Sequence, residues 1–336
     1  MTNPVLVELT RGDLVESVHR GAIAIADASG ALKLALGDVT TPVYSRSSLK
    51  PMQALPLVES GAAEAFGLSD EEIALACASH SGEPMHTERV AAWLGRIGLG
   101  EADLACGAHP SRFEPVAEAM IRAGIKPTRI FNNCSGKHTG FLTVARHWDI
   151  GTEGYERVDH PVQAAVAATL RDLTDAKDLP YGIDGCAAPN FATSLTQFAT
   201  AAARMATPDT LPAPRGAAAR RIIGAMIQHP ELMSGTGRAC ATLIRACGGQ
   251  AAVKTGAEGF FGAWIPAMGL GVAIKIDDGA GRAAETAMAA VLDRLGLLSD
   301  EPKARAILRA PVLNTRGATV GERRSAPALA NLAIAQ

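Results

Sequence analysis

Apolar residues near the start of the chain fall in short runs separated by turn residues. Val5-Leu6-Val7-Glu8-Leu9, Leu14 to Val18, Ala22 to Ala26 and Leu32 to Leu36 read as strands, with Ala28-Ser29-Gly30 as the turn before the last. They predict an antiparallel meander. From Ser47 to about Arg245 the apolar spacing becomes helical, as in Val90 to Leu94, Val162 to Val166 and Leu195 to Met205. Strand signals return at Ala252-Val253-Lys254, Phe260 to Ile265 and Val272 to Ile276, and Asp277-Asp278-Gly279 marks their end. Beyond them Ala284, Ala287, Met288, Val291, Leu292 and Leu295 share one stripe at helical spacing, which predicts a helix lying on a sheet face. Strands at both chain ends around a helical middle predict an α+β fold. The expected organisation is one domain over residues 1–336 with an antiparallel sheet built from both ends, a helical insertion over roughly 50–245 and a cleft between the two. No internal repeat or low-complexity tract interrupts this order.

Composition narrows the function classes. With 336 residues, 48% of them hydrophobic, the chain can bury a large core. Its 32 basic and 34 acidic residues form no long run of one sign, so it carries no footprint for nucleic acid or an anionic membrane surface. No apolar stretch reaches the ~18 residues of a membrane span, and the first residues lead into Glu8, Arg11 and Asp13 rather than an apolar signal segment. A cytoplasmic location is expected. Cys77, Cys106, Cys134, Cys186, Cys240 and Cys247 lack the spacing of a secreted disulfide framework, so they are expected as free thiols or ligands.

Candidate chemistry centres on serine and lysine. Ser47-Ser48-Leu49-Lys50 has the form Ser-x-x-Lys, and Lys254-Thr255-Gly256 lies far downstream, with Ser79-His80-Ser81 between them. On a helix, residues three apart share a face, so Lys50 is expected beside the Ser47 hydroxyl to take its proton. Ser79-His80-Ser81 lies in a polar stretch after an apolar helix, which reads either as an ordinary helix-capping loop or as a second serine able to pair with Lys254. Such a lysine works as a base where burial or a neighbouring cation lowers its pKa from about 10.4 toward neutrality. Ser-x-x-Lys alone also describes a solvated helix face; followed by Lys-Thr-Gly on a late strand, it has the chain order of serine penicillin-recognising enzymes. Asn132-Asn133-Cys134-Ser135-Gly136-Lys137-His138 precedes an apolar helix expected from Phe141 to Trp148, where helix potential suits an anion or a thiolate, although Asn132 or Ser135 can equally be simple caps. Gly182 to Pro189 holds Asp184 and Cys186 at what reads as a sharply bent strand end. The Cys134 to Cys186 separation has no zinc-finger rhythm, while two thiolates would suit a soft or borderline ion.

Taken as a set, these segments resemble the class 3 L-asparaginases, the Rhizobium-type asparaginase II family. The resemblance rests on Val5-Leu6-Val7-Glu8, Glu16 to Gly21, Arg46 to Gln53, Ser79 to Glu83, Asn133 to His138, Asp184-Gly185-Cys186 and Lys254 to Gly259. It implies a fold like the serine β-lactamases and glutaminases, a homodimer, and hydrolysis of L-asparagine to L-aspartate and ammonia. It implies that Ser47 with Lys50 and Ser79 with Lys254 are catalytic pairs, and that Cys134, Lys137 and Cys186 bind one zinc ion that aids substrate binding. Arg46, Glu83, Asn133, His138 and Asp184 are the candidate substrate contacts, with Cys240 nearby; no organic cofactor is implied. A glutaminase or penicillin-interacting hydrolase uses the same chemistry, and a non-enzymatic amino-acid or zinc binder is a further class. That last class has no use for activated nucleophiles.

Overall fold

The computed structural model describes residues 2–335. In chain order its strands are β1 (Val5–Arg11), β2 (Leu14–Asp27), β3 (Leu32–Leu36), β4 (Val43–Tyr44), β5 (Tyr181–Ile183), β6 (Pro189–Thr193), β7 (Ala252–Thr255), β8 (Phe260–Ile265), β9 (Leu270–Ile276), β10 (Ala310–Leu313) and β11 (Thr319–Ser325). The described residues divide into two compact units, one of residues 2–48, 193–207 and 242–335, the other of residues 49–192 and 208–241.

The first unit is built on an antiparallel sheet of order β10-β11-β1-β2-β9-β8-β7, with β3 also paired to β2. The two strands expected at Leu14–Val18 and Ala22–Ala26 are a single strand of 14 residues. Its first half pairs with β1; from Gly21 onward it pairs with β9, and from Ile23 with β3 as well. Gly21 sits at that change of partner. A Cβ there would lie 2.4 Å from the Lys275 carbonyl oxygen, so the glycine permits close strand approach rather than a turn. Ala22 to Ala26 are all buried, and because alternate residues point to opposite faces, both faces of this part of the sheet are covered. The covering helices are Leu195–Ala206, against β2, β8 and β9, and Gly281–Arg294, against β1, β8, β9 and β11. The first rests directly on backbone: a Cβ at Gly271 would meet the Ala199 carbonyl oxygen at 2.0 Å.

The second unit is helical apart from the β5–β6 hairpin. Its central helix, Ser135–His147, buries every residue from Ser135 to Ala145 and packs against helices Leu55–Glu59, Asp70–Ala76 and Pro84–Arg96. Gly136 sets its approach to the second of these, since a Cβ would stand 2.4 Å from the Leu75 carbonyl oxygen. The helix thus begins six residues before the expected Phe141, and Ser135 to His138 form its first turn rather than a preceding loop. Periodicity missed this turn because a helix buried all round has no polar face to alternate with. No helix among the described residues is long and apolar enough to cross a membrane.

Candidate active site

Lys50 opens a short helix in the second unit and is 2% exposed. Its Nζ donates to the carbonyl oxygens of Ala78 and Asn133 and to Ser79 Oγ, the last at 3.2 Å. Ser79 follows helix Asp70–Ala76, and its backbone N–H donates to the Met233 carbonyl at 3.0 Å. A tetrahedral nitrogen with two N–H groups committed to carbonyls has one remaining valence, and here it faces the Ser79 hydroxyl. As an ammonium, Lys50 donates along that line; as a neutral amine it presents its lone pair to the serine O–H. Ser79, expected beside Lys254, has Lys50 as one partner.

Ser47 lies in the first unit, half-buried, within the 3-10 turn Arg46–Leu49. A continuous helix carrying Ser47 and Lys50 was the expectation, but Pro51 lacks the N–H that would bond back toward Ser47, and the chain changes from a 3-10 turn to a new helix at Lys50. The turn is fixed against the end of β7: Ser48 Oγ donates to the Lys254 carbonyl at 2.6 Å. Gly256 allows this, because a Cβ there would lie 2.4 Å from the Ser45 carbonyl oxygen. Lys254 is fully buried, with Nζ donating to the Thr255 carbonyl at 2.7 Å. Arg46 and Glu258, either side of this contact in sequence, hold left-handed φ values of 51° and 54°. For non-glycine residues that conformation costs on the order of 1 kcal/mol and clusters at functional sites.

Cys134, Lys137 and Cys186 come together in the second unit. Cys186 sits in the tight β5–β6 turn, closed by Ala187 N–H donating to the Asp184 carbonyl at 2.9 Å, with Ala187 left-handed at φ 73°. Lys137 Nζ donates to Cys186 Sγ at 3.0 Å. A hydrogen bond from Cys134, opposed by burial and aided by Lys137, holds the Cys186 thiol well below its ordinary range. The same bond together with burial pushes Cys134 up. Burial would lower Lys137, but the two sulfurs outweigh it and raise the amine. In the trio the surroundings favour the ionised form of Cys186 over that of Cys134 and the charged form of Lys137. Next to it His138 Nδ1 lies 2.7 Å from the Tyr155 hydroxyl, while its Nε2 is buried without a hydrogen-bond partner among the described residues. Burial lowers the His138 pKa, against the pull of Cys186. Half-buried Asp184 accepts from Gly185 N–H at 2.6 Å and adds negative charge near Lys137. No group of three His, Cys, Asp or Glu side chains among the described residues could hold a metal ion. A site here would need Lys137 as a neutral amine beside two cysteine sulfurs, of which the sulfurs are ordinary zinc ligands.

Residues 7–325 match the family model for L-asparaginase II. The chain belongs to the L-asparaginase II family. Among curated proteins none matches this family member. Solved structures similar to it include a β-lactamase from Mycobacterium bovis, 15% identical over 83% of this chain and 95% of that one with a TM-score of 0.45. A putative β-lactamase from Bacteroides dorei is 13% identical over 76% and 84%, with a TM-score of 0.43. An octameric penicillin-binding protein homologue from Pyrococcus abyssi is 12% identical over 81% and 73%, with a TM-score of 0.36.

In this L-asparaginase II family member the Ser79-to-Glu83 segment is held by groups that sequence reasoning did not single out. Glu83, a candidate substrate contact, accepts from Ser81 Oγ, from Thr236 N–H at 2.9 Å and from Thr236 Oγ1 at 2.7 Å. Burial opposes its ionisation, yet these hydrogen bonds hold the carboxyl below its usual range. His80 and His86 stack with ring centroids 5.0 Å apart. His80 Nδ1 accepts from Gly82 N–H, so Nε2 carries the proton toward Ser135 Oγ at 2.9 Å. His86 Nδ1 likewise accepts from Glu83 N–H and its Nε2 donates to the Glu231 carbonyl. Burial lowers both pKa values and keeps the pair neutral. His80 was visible inside Ser79-His80-Ser81; nothing in the sequence marks His86 or Tyr155.

Proposed function

We propose that this protein hydrolyses L-asparagine to L-aspartate and ammonia through an acyl-enzyme on serine. The observation that supports this most directly is the buried Lys50 amine directed at the Ser79 hydroxyl, in a chain of the L-asparaginase II family. Ser47 is more exposed than Ser79, and a nucleophile must meet a dissolved substrate, so Ser47 takes the acyl group. Its proton passes through Ser79 to Lys50. Ser79 passes protons within the site, and Lys254 supplies positive charge. The Ser47 oxygen bonds to the side-chain amide carbon, the carbon–nitrogen bond breaks, and the proton held by lysine leaves with the nitrogen as ammonia. Water then adds to the β-aspartyl ester, gives a proton back to the serine oxygen, and releases aspartate.

Arg46, Asn133, His138 and Asp184 are the substrate contacts in this reading. Glu83 instead holds the segment bearing Ser79, because its oxygens are already committed to Ser81 and Thr236. Cys134, Lys137 and Cys186 would hold one zinc ion, whose charge would anchor and orient the amino acid near the serines. Lys137 must then be neutral and Cys134 deprotonated, so binding releases protons. The functional protein is a homodimer in this reading.

Incubation with asparagine, glutamine and a chromogenic β-lactam, followed by mass spectrometry of the trapped protein, tests the activity. Ammonia from asparagine and a β-aspartyl adduct on Ser47 are expected, with Ser47→Ala reducing kcat on the order of 10⁴-fold. Turnover within tenfold of the parent would remove Ser47 from the nucleophile role. Zinc measured after dialysis should be lost in Cys186→Ala; a retained full equivalent would exclude that ligand.

A further inference from the structure

Between helices Pro84–Arg96 and Glu114–Arg122, the segment Gly107–Phe113 crosses the surface of the second unit with Gly107, Ala108 and Pro110 exposed. The helix that follows it gives it little anchorage, burying only Met120. The segment is nevertheless tied to the two loops that carry the site. Asn132 Nδ2 donates to the Gly107 carbonyl at 2.6 Å. Ser111 Oγ and Arg112 N–H both donate to the Ser81 carbonyl, each at 2.7 Å. Between these ties stands His109, whose Nε2 accepts from Asn133 N–H at 2.8 Å while its Nδ1 lies 2.7 Å from the Pro110 carbonyl. A carbonyl can only accept and a backbone N–H can only donate, so the two contacts fix one tautomer: neutral imidazole with its proton on Nδ1.

Asn133 is the residue through which that contact reaches the chemistry. Its carbonyl accepts from Lys50 Nζ and from His80 N–H, each at 3.3 Å. Its side-chain oxygen lies 3.4 Å from the Cys134 sulfur. One backbone residue thus sets the lysine that faces Ser79 and the cysteine that faces Cys186 and Lys137. His109 holds its N–H side. We propose that His109 is a positioning residue of the catalytic site: it clamps Asn133 from the exposed segment 107–113, and through the Asn133 carbonyl it keeps Lys50 aligned on Ser79. The consequence for turnover rests on the proposed amide hydrolysis; the clamp itself does not.

Both parts are separately testable. On the parent protein, ¹⁵N NMR of the His109 ring should show Nδ1 protonated and Nε2 bare at neutral pH; a proton on Nε2 would overturn the clamp. His109→Leu removes the acceptor, whereas His109→Gln places an amide oxygen near the position of Nε2. Hydrogen exchange at the Asn133 amide should quicken in the leucine variant and stay slow in the glutamine variant, and equal protection in all three proteins would overturn the proposal whether or not any amide is hydrolysed. With asparagine, His109→Leu should lower kcat about 10- to 100-fold, as losses of orienting partners do, and be restored to within about threefold of the parent by His109→Gln. Leucine and parent kcat values that agree within twofold would sink the link to Lys50. A parent inactive on amides would remove the proposed function and leave the clamp to be judged by exchange and tautomer.

Discussion

Helices Gly281–Arg294 and Ser135–His147 are nearly equal in length, 14 and 13 residues, and both are largely buried. The first buries Ala283, Ala284, Ala287, Met288, Val291 and Leu292 against the sheet and contains no buried ionisable group. The second buries Ser135, Lys137, His138, Thr139 and Thr143 along with its apolar residues. Burying polar groups without partners would cost several kcal/mol, so each needs its own bond. The helix supplies two of them itself, since Thr139 Oγ1 donates to the Ser135 carbonyl and Thr143 Oγ1 to the Thr139 carbonyl. Lys137 and His138 instead reach Cys186 and Tyr155, which belong to distant stretches of sequence. A helix that only supports a sheet can be built from an apolar stripe. One that carries chemistry has to be completed by its neighbours.

The sharpest test of that contrast compares one glycine in each helix. Gly136→Ala places a methyl group 2.4 Å from a backbone oxygen of the adjacent helix. Urea unfolding should show a loss of about 3 kcal/mol, in the range of overpacked cores. A loss under 1 kcal/mol would mean that the helices part without penalty. The next effect concerns pH. His80 donates to Ser135 at the start of the polar helix, and His80 and His86 both have lowered pKa values in the folded protein. The unfolded chain takes up protons near the ordinary histidine pKa of about 6.5 while the folded pair resists them. Their stabilisation is therefore complete above about pH 6.5 and is lost as pH falls below it, each histidine contributing up to ~1.4 kcal/mol per pH unit. Unfolding free energies from pH 7.5 to 5 should show this slope, and His80→Gln with His86→Gln should flatten it. An unchanged slope would move the acid sensitivity elsewhere. Smallest is Gly281→Ala in the amphipathic helix, where a Cβ meets nothing within 4 Å. A gain of about 0.5 kcal/mol is expected from the reduced entropy of the unfolded chain. A loss there would show that the sheet-covering helix is as tightly constrained as the polar one.

Legibility in the sequence follows the same divide. The strands from Phe260 to Ile265 and Val272 to Ile276, and the helix stripe from Ala284 to Leu292, were readable because each buries apolar residues at a regular period. The join of Leu14–Val18 to Ala22–Ala26 was not, since Gly21 resembles a turn until the Lys275 carbonyl above it is known. Among the site residues, Lys50, Ser79, Cys134, Lys137 and Cys186 were marked by motif, but motif spacing did not reveal that Lys50 reaches Ser79. His86, His109, Tyr155 and Thr236 carry no signal of their own.

The sequence alone determined the alternation of strands and helices, the α+β class and the family, because hydrophobic period and motif composition are local properties that survive being written as a string. Tertiary structure decided that Lys50 reaches Ser79, that Lys137 meets Cys186, and that Glu83 is spent on Thr236. Those outcomes depend on burial and on hydrogen-bond partners tens to hundreds of residues apart, and a polar side chain's protonation and role are fixed only when the chain has folded around it.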